Sequence, residues 1–243
     1  MTAAVLYEWP AAAAFGRVVP KSKFYEHGAV SPAIRERFVG EVQRITWAYK
    51  LAESTIHLRS TRSVPELQVF VIDSKGKDID DRVLQTIDKT VRFPIIYELN
   101  RGEGADGSTR MCAASKQPGG GRPMLSAYFS TSWLPVDAER RALPPAVDLG
   151  ALYTALLEPL LPLALRPGES VADAAERVDG ARKLKREIAG LERRLRTEPQ
   201  LNRKIELRRQ LRTRTEALAG MTSPERRPAT AAGPGQEEPQ WTS

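Results

Sequence analysis

Glu66 and Gln68 stand one residue apart at the head of an apolar run, Glu66-Leu-Gln-Val-Phe-Val-Ile-Asp73. On an extended strand, residues two apart project from the same face, so this carboxylate and this amide point the same way. Metal-dependent nucleases of the restriction-enzyme class use such a strand, with an acidic residue, one spacer, and then a lysine or other polar residue. Two oxygens hold Mg²⁺ and the third group positions the attacking water. Sites of that kind also draw an aspartate from a preceding strand. The run before this one, Gln43 to Leu51, contains no aspartate, and Glu41 and Glu53 only flank it. The sequence therefore leaves two readings of Glu66 and Gln68: a Mg²⁺-dependent nuclease, or a polar strand end with no catalysis, metal or cofactor. The second is preferred.

The other candidates are cationic. Lys21 and Lys23 flank Ser22 and fit either a phosphate contact or a solvated edge segment. Lys50 lies on the polar face of the alternating run Gln43 to Leu51 and joins the same set. Near the C-terminus, Arg203, Lys204, Arg208, Arg209 and Arg212 are spaced to track a phosphate backbone. The same region carries Leu184, Ile188, Leu191 and Leu195, whose 4, 3, 4 spacing is that of a coiled-coil seam. Leucines flanked by solvated charges meet protein more often than DNA, so the expected use of this stripe is a partner helix. Gly119, Gly120 and Gly121 lack the following helix with Lys and Ser/Thr that a phosphate-binding loop needs, and read as a hairpin loop.

Composition bounds the chemistry. The net charge of +7 suggests an acidic partner, but its distribution matters more. Between Val171 and Gly220 there are 14 Lys/Arg against 8 Asp/Glu, which places +6 there and leaves the rest nearly neutral. A single cysteine, Cys112, precludes an intrachain disulfide. With only two histidines besides, a His/Cys zinc site is not expected. No apolar run reaches the ~18 residues of a membrane span, and the N-terminus lacks a signal peptide's basic-then-apolar order. The expectation is a cytoplasmic protein with no membrane association.

These residues must be positioned by a recognisable frame. The run at 66–73 is apolar on both faces, as in a strand covered on both sides. A helix from Asp78 to Val91 follows, with Ile79, Val83, Leu84, Ile87 and Val91 on one stripe and Asp78 as its cap. A second strand, Phe93 to Leu99, completes a parallel βαβ unit. Thr109 to Lys116 and Met124 to Trp133, joined by a short loop, make an antiparallel meander. Earlier, Ala11 to Phe15 suggests a helical turn, Val18 to Phe24 an extended segment, and Ser31-Pro32 the start of a helix to about Val42. Ser54 to Leu58 continues the strand 43–51 after a break. Asp148 caps a leucine-rich helix. The fold class is α/β: a mixed sheet holding a βαβ unit and a meander, plus a C-terminal helical hairpin or coiled-coil arm. The expected divisions are an α/β body at 1–168, a basic arm at 169–220 and a disordered tail at 221–243. Leu195 and Leu201 are six apart, which would rotate a continuous stripe by about 240°. Thr197-Glu-Pro-Gln200 reads as a new capping box at that break, giving helices at 171–196 and 198–219.

Several stretches taken in order carry a resemblance. They are Val19-Pro-Lys-Ser-Lys, Ile45-Thr-Trp-Ala-Tyr-Lys-Leu-Ala, Glu66-Leu-Gln-Val-Phe, Ile87-Asp-Lys-Thr-Val-Arg-Phe-Pro-Ile-Ile-Tyr-Glu-Leu, Asp148-Leu-Gly-Ala-Leu-Tyr, Arg166-Pro-Gly-Glu-Ser and Glu198-Pro-Gln-Leu-Asn-Arg-Lys-Ile-Glu-Leu. Over about residues 15 to 219 the chain resembles the bacterial family called domain of unknown function 4391. The resemblance implies genes placed beside DNA methyltransferases and helicases, in restriction-modification or phage-defence islands. It carries no catalytic residue. It implies an accessory protein whose partner is a methyltransferase or helicase, with nucleic acid as a further partner.

Overall fold

The computed structural model describes residues 5–25, 30–102, 104–117 and 123–224. The chain divides into two compact units, residues 1–183 and 184–243.

The first unit is built on a seven-stranded mixed sheet. In order across it run β1 (Ala14–Val18), β2 (Val42–Leu51), β3 (Leu67–Ser74), β4 (Ile95–Arg101), β5 (Ser108–Gln117) and β6 (Met124–Ser130), and the short β7 (Leu134–Pro135) pairs with β5. Only β3 and β4 pair in parallel; the other neighbours are antiparallel. The βαβ unit and the meander are thus both present.

The sheet is covered on both faces, which is why β3 is apolar on both. Leu67 and Val69 belong to one core with Ile96 of β4 and with Leu149, Leu152 and Leu156 of α5 (Leu149–Leu157). Phe70 and Ile72 belong to the other, with Phe38 of α2 (Pro32–Glu41) and Val83, Leu84 and Ile87 of α4 (Asp81–Thr90). Each such side chain contributes roughly 1.5–3 kcal/mol by leaving water. Val71 is only half-buried; it sits opposite Glu98 in the register.

Local chemistry sets the helix ends. Asp80, not Asp78, caps α4: its Oδ1 accepts from the Arg82 N–H at 2.9 Å. Asp78 is engaged elsewhere, accepting from Arg110 Nη2 at 2.6 Å. Arg37 of α2 reaches both Glu41 (2.9 Å) and Asp80 (3.0 Å), and Glu41 accepts from the Asp80 N–H, so the end of α2 is tied to the start of α4. Asp148 caps α5 by accepting from the Ala151 N–H, as its position in the sequence requires.

Three segments depart from expectation. Only Ala11–Ala13 form a helical turn, a single 3₁₀ one, after which the chain enters the edge strand β1. Pro20 restrains the residue before it but not those after it. The chain turns there, with Phe24 N–H bonded to Lys21 C=O, into α1 (Ser22–Tyr25). Glu53–Ile56 is a helical turn, α3, rather than more strand. The Thr55 hydroxyl directs it, donating to Lys50 C=O while accepting from the Ala52 N–H.

The second unit contains the remainder of α6 (Val171–Thr197), which begins in the first, and α7 (Leu201–Thr222). Together the two helices form a hairpin. The break near Thr197–Pro199 is present, but the capping box is not. Thr197 is the last residue of α6 and its hydroxyl donates back to Arg193 and Arg194 C=O. Gln200 occupies the cap of α7 without a side-chain bond, and Glu198 accepts from the Gln200 N–H. The change of composition at Ser170 and the division at Lys183 do not coincide. The first turns of α6 are rich in Ala and Val, and Val171, Ala174, Ala175 and Val178 are part of the first unit's core. No helix among the described residues is long and apolar enough to cross a membrane. The glycine loop at 119–121 and most of the tail, 225–243, lie outside the described residues; α7 runs to Thr222, just past the arm boundary expected at 220.

Candidate functional site

Glu66 immediately precedes β3, and the β2–β3 register places Lys50 opposite Gln68. The three side chains come together. Glu66 Oε1 accepts from Gln68 Nε2 at 2.9 Å, and Glu66 Oε2 lies 2.9 Å from Lys50 Nζ. The glutamate is buried and the lysine is at the surface. Both carboxylate oxygens are therefore engaged by donors of this chain. Among the described residues there is no group of three or more His, Cys, Asp or Glu placed to share a metal ion.

The two N-terminal lysines diverge. Lys21 Nζ donates to Val42 C=O at 2.7 Å, at the C-terminal end of α2. Burial, with the charge of Lys75 added, holds its ammonium below the ordinary lysine value. Lys21 is thus a structural clasp. Lys23 is exposed and lines a cavity of about 520 Å³ together with Arg17, Trp47, Gln68, Arg92 and Phe93. The Val91–Phe93 segment also lines a second cavity of about 460 Å³, whose lining includes Arg62, Lys89, Arg92 and Lys116. No Asp or Glu is among the described residues that line either cavity.

The segment between the cavities is held from beneath by a buried polar knot. Lys116 of β5 donates to the backbone carbonyls of Asp88 (2.6 Å), Phe93 (3.0 Å) and Val91, and lies 3.4 Å from Asp88 Oδ1. Its ammonium thereby satisfies carbonyls in the last turn of α4 and just beyond it, where a cation is also favoured by the helix dipole. Asp88 Oδ2 accepts from the hydroxyls of Tyr97 (3.0 Å) and Tyr128. Burial pushes the Asp88 carboxyl above its ordinary value, and Lys116 and the two phenols oppose that. Burial pushes Lys116 below its own, and Asp88 opposes that. Burial and the adjacent Asp88 hold both phenols well above their ordinary value, so they remain donors.

On the opposite face of the sheet Glu98 of β4 is buried and receives Arg140 in a fork, Nη1 to Oε1 at 2.7 Å and Nη2 to Oε2 at 3.0 Å. The Trp9 indole N–H adds a bond of 2.6 Å. Arg140 also donates to Tyr7 C=O. This triad fixes the N-terminal segment and the chain after β7 to the sheet. With every oxygen paired it reads as a fastening.

In the second unit, Leu184 and Leu207 are buried while Ile188, Leu191 and Leu195 are half-buried. Arg214 of α7 meets Glu187 of α6 at 3.1 Å, a bridge between the two helices of the hairpin. Arg203, Arg208, Arg209 and Arg212 are exposed and Lys204 is half-buried; Arg212 pairs with Glu216 at 2.9 Å. Leu201 and Ile205, one turn apart at the start of α7, are 69% and 56% exposed.

The residues that sequence reasoning missed are Asp88 and Lys116, Glu98 and Arg140, and the cations Arg17, Arg62, Lys89 and Arg92. Two signals were present. Asp88 falls four residues after Leu84, on the apolar stripe of α4, and Glu98 shares the parity of buried Ile96 on β4. A charge on a buried face demands a partner. The scattered surface cations gave no such signal, because sheet register and one turn bring them together.

No curated protein and no solved structure matches the chain. Residues 8–218, nearly the whole of the described region, match the model of the family described as a domain of unknown function, DUF4391, and the chain belongs to that family.

Proposed function

We propose that this protein is a non-catalytic accessory component of a bacterial, cytoplasmic DNA-modification, restriction or phage-defence system. Its helical hairpin grips a DNA methyltransferase or helicase, and its basic surfaces face nucleic acid. The observation that carries the non-catalytic part is the saturation of Glu66: an ion bound there would have to displace Lys50 from one oxygen or Gln68 from the other. A Mg²⁺ site also needs carboxylates that converge at 2.0–2.6 Å oxygen distances, and the partners of Glu66 are donors. The gene neighbourhood implied by the family resemblance supplies the class of partner. The half-buried Ile188, Leu191 and Leu195, with the exposed Leu201 and Ile205, are the apolar residues of the hairpin that such a partner would cover.

The rival reading is a Mg²⁺-dependent nuclease using Glu66, which stands beside a basic cavity through Gln68. Glu66→Ala separates the two. The binding reading expects a stable variant to retain its system's phage restriction and its co-purification with the partner. Mg²⁺-dependent DNA cleavage by the wild type, lost in a stably folded Glu66→Ala protein, would establish the nuclease instead.

A further inference from the structure

The Val91-Arg92-Phe93 segment is a wall shared by two cavities of about 460 and 520 Å³, each within the ~300–1,000 Å³ range of sites that hold a small organic group. Five exposed cations surround them: Arg17, Lys23, Arg62, Lys89 and Arg92. None of the five makes an ion pair among the described residues. Elsewhere on the first unit Arg37, Arg44 and Arg110 pair with carboxylates, whereas the exposed Arg35, Arg59 and Arg82 make no ion pair among the described residues and line neither cavity. Unpaired cations gathered around concave surface, with no carboxylate in the lining, focus positive potential outward and favour an anion from solution.

The lining also has an aromatic side. Trp47 and Phe93 are half-buried and both line the larger cavity; Trp47 is flanked by Phe15 (ring centroids 4.3 Å apart) and by the buried Phe70 (6.0 Å), so Phe93 is the ring offered to a base. The Arg92 guanidinium lies 5.9 Å from the Phe93 ring centroid, on the ridge itself. Cations that follow a backbone, interleaved with rings that accept bases, are what single strands use. A duplex keeps its bases stacked inside and offers such rings nothing, and a rod of that width does not enter paired cavities. An acidic peptide would satisfy the cations but leave that ring unused.

We propose that this ridge and its two cavities are a binding site for single-stranded nucleic acid. A phosphate sits over Arg92, and the nucleotides on either side of it occupy one cavity each. The inference rests on the nucleic-acid-facing part of the function proposed above and locates it on the body rather than on the arm. Lys116 serves as a positioning residue, since its bonds to Val91 and Phe93 C=O hold the ridge in place.

The test uses the full chain and a fluorescein-labelled twelve-nucleotide oligothymidine, read by anisotropy. Arg92→Glu and Arg17→Glu, both at exposed positions, should each weaken binding tenfold or more with unchanged melting curves. Phe93→Leu should weaken it several-fold with an unaltered salt slope. For three to five phosphate contacts, affinity for the single strand should fall roughly 20- to 130-fold between 50 and 200 mM salt, from the slope of about −0.7 per contact. The triple reversal Arg208→Glu, Arg209→Glu and Arg212→Glu should have little effect. Binding abolished by that triple reversal but not by Arg92→Glu would move the contact to the arm, overturning this proposal while leaving the broader reading intact. Equal or tighter binding of a duplex of the same length, or equally effective competition by polyglutamate, would overturn the single-strand assignment. No oligonucleotide binding at 50 mM salt would overturn it together with the nucleic-acid part of the proposed function. The partner-binding part is judged separately by co-purification.

Discussion

Replacing Lys116 with methionine keeps the length of the side chain and removes its charge. Three backbone carbonyls then lose a donor and the Asp88 carboxylate loses the one cation that pairs with it among the described residues. Val91 and Phe93 line the smaller cavity, so water can re-satisfy their carbonyls. The Asp88 carboxylate has no such relief, with its side chain only 3% exposed. Removing one partner of a buried ion pair costs about 3–5 kcal/mol, a large share of a typical total of about 5–15. With a urea m-value of about 2 kcal/mol/M, the midpoint should fall by about 2 M. Tryptophan fluorescence reports this well, because Trp9, Trp47 and Trp133 all lie in the first unit. The loss should also depend on pH, with a definite sign. Asp88 already titrates above its ordinary value, and without Lys116 it moves further up. A carboxyl raised in the native state contributes most below its unfolded value, and stability is lost as pH rises through the native one. Lys116→Met should therefore be less damaging at pH 5 than at pH 8. The double variant Lys116→Met/Asp88→Asn should lose that dependence and recover part of the deficit. A midpoint within about 0.3 M of wild type would refute the argument, as would a deficit that does not change with pH.

Glu169 offers the opposite sign. Its hydrogen bonds from Arg177, at 2.7 and 2.8 Å, hold its carboxyl below the ordinary glutamate value. The stability it contributes is present above about pH 4.5 and is lost as pH falls through its lowered native value. Glu169→Gln should lower the urea midpoint more at pH 7 than at pH 3; equal losses at the two pH values would contradict this. In the arm, Leu191→Glu should release the methyltransferase or helicase partner in co-purification while leaving the first unit's unfolding midpoint unchanged, because Leu191 belongs to the second unit, where its burial is worth roughly 1.5–3 kcal/mol. Retention of the partner by that variant, with loss in the reversal of Arg208, Arg209 and Arg212, would mean that the charged face is the grip.

The sheet was legible because its signals are local and redundant. The two-sided apolar run of β3, the stripe of α4 and the run of β4 each constrain the next, and length forces the crossover. Misread segments were those where one hydroxyl or one backbone bond decides. Thr55 bends the chain after β2 through two hydrogen bonds, and a threonine in a β-branched context looks like strand from sequence alone. The capping box at Thr197 failed for the same kind of reason: a hydroxyl at a helix end can bond backward into the helix it closes as readily as forward into the one it would open.

The candidate site was legible only as far as one strand reaches. Glu66, Gln68 and Lys50 are close in register, and the sequence could place them together once β2 and β3 were paired. What the sequence could not weigh was charge balance in three dimensions. Most of the excess positive charge lies between Val171 and Gly220, so the body counts as near neutral and draws attention away from itself. That neutrality is an average over two different surfaces. Carboxylates such as Asp73, Asp78, Asp80 and Glu66 are consumed in pairs with arginine or lysine, and the buried Asp88 and Glu98 are paired with Lys116 and Arg140. The cations beside Val91–Phe93 are drawn from three separate stretches of the chain: β1 and α1, the segment before β3, and α4 with the segment that follows it. Subtracting the paired charges leaves a positive ridge on a neutral domain, and that ridge is held from beneath by the buried Lys116, whose bonds to Val91 and Phe93 C=O fix it in place.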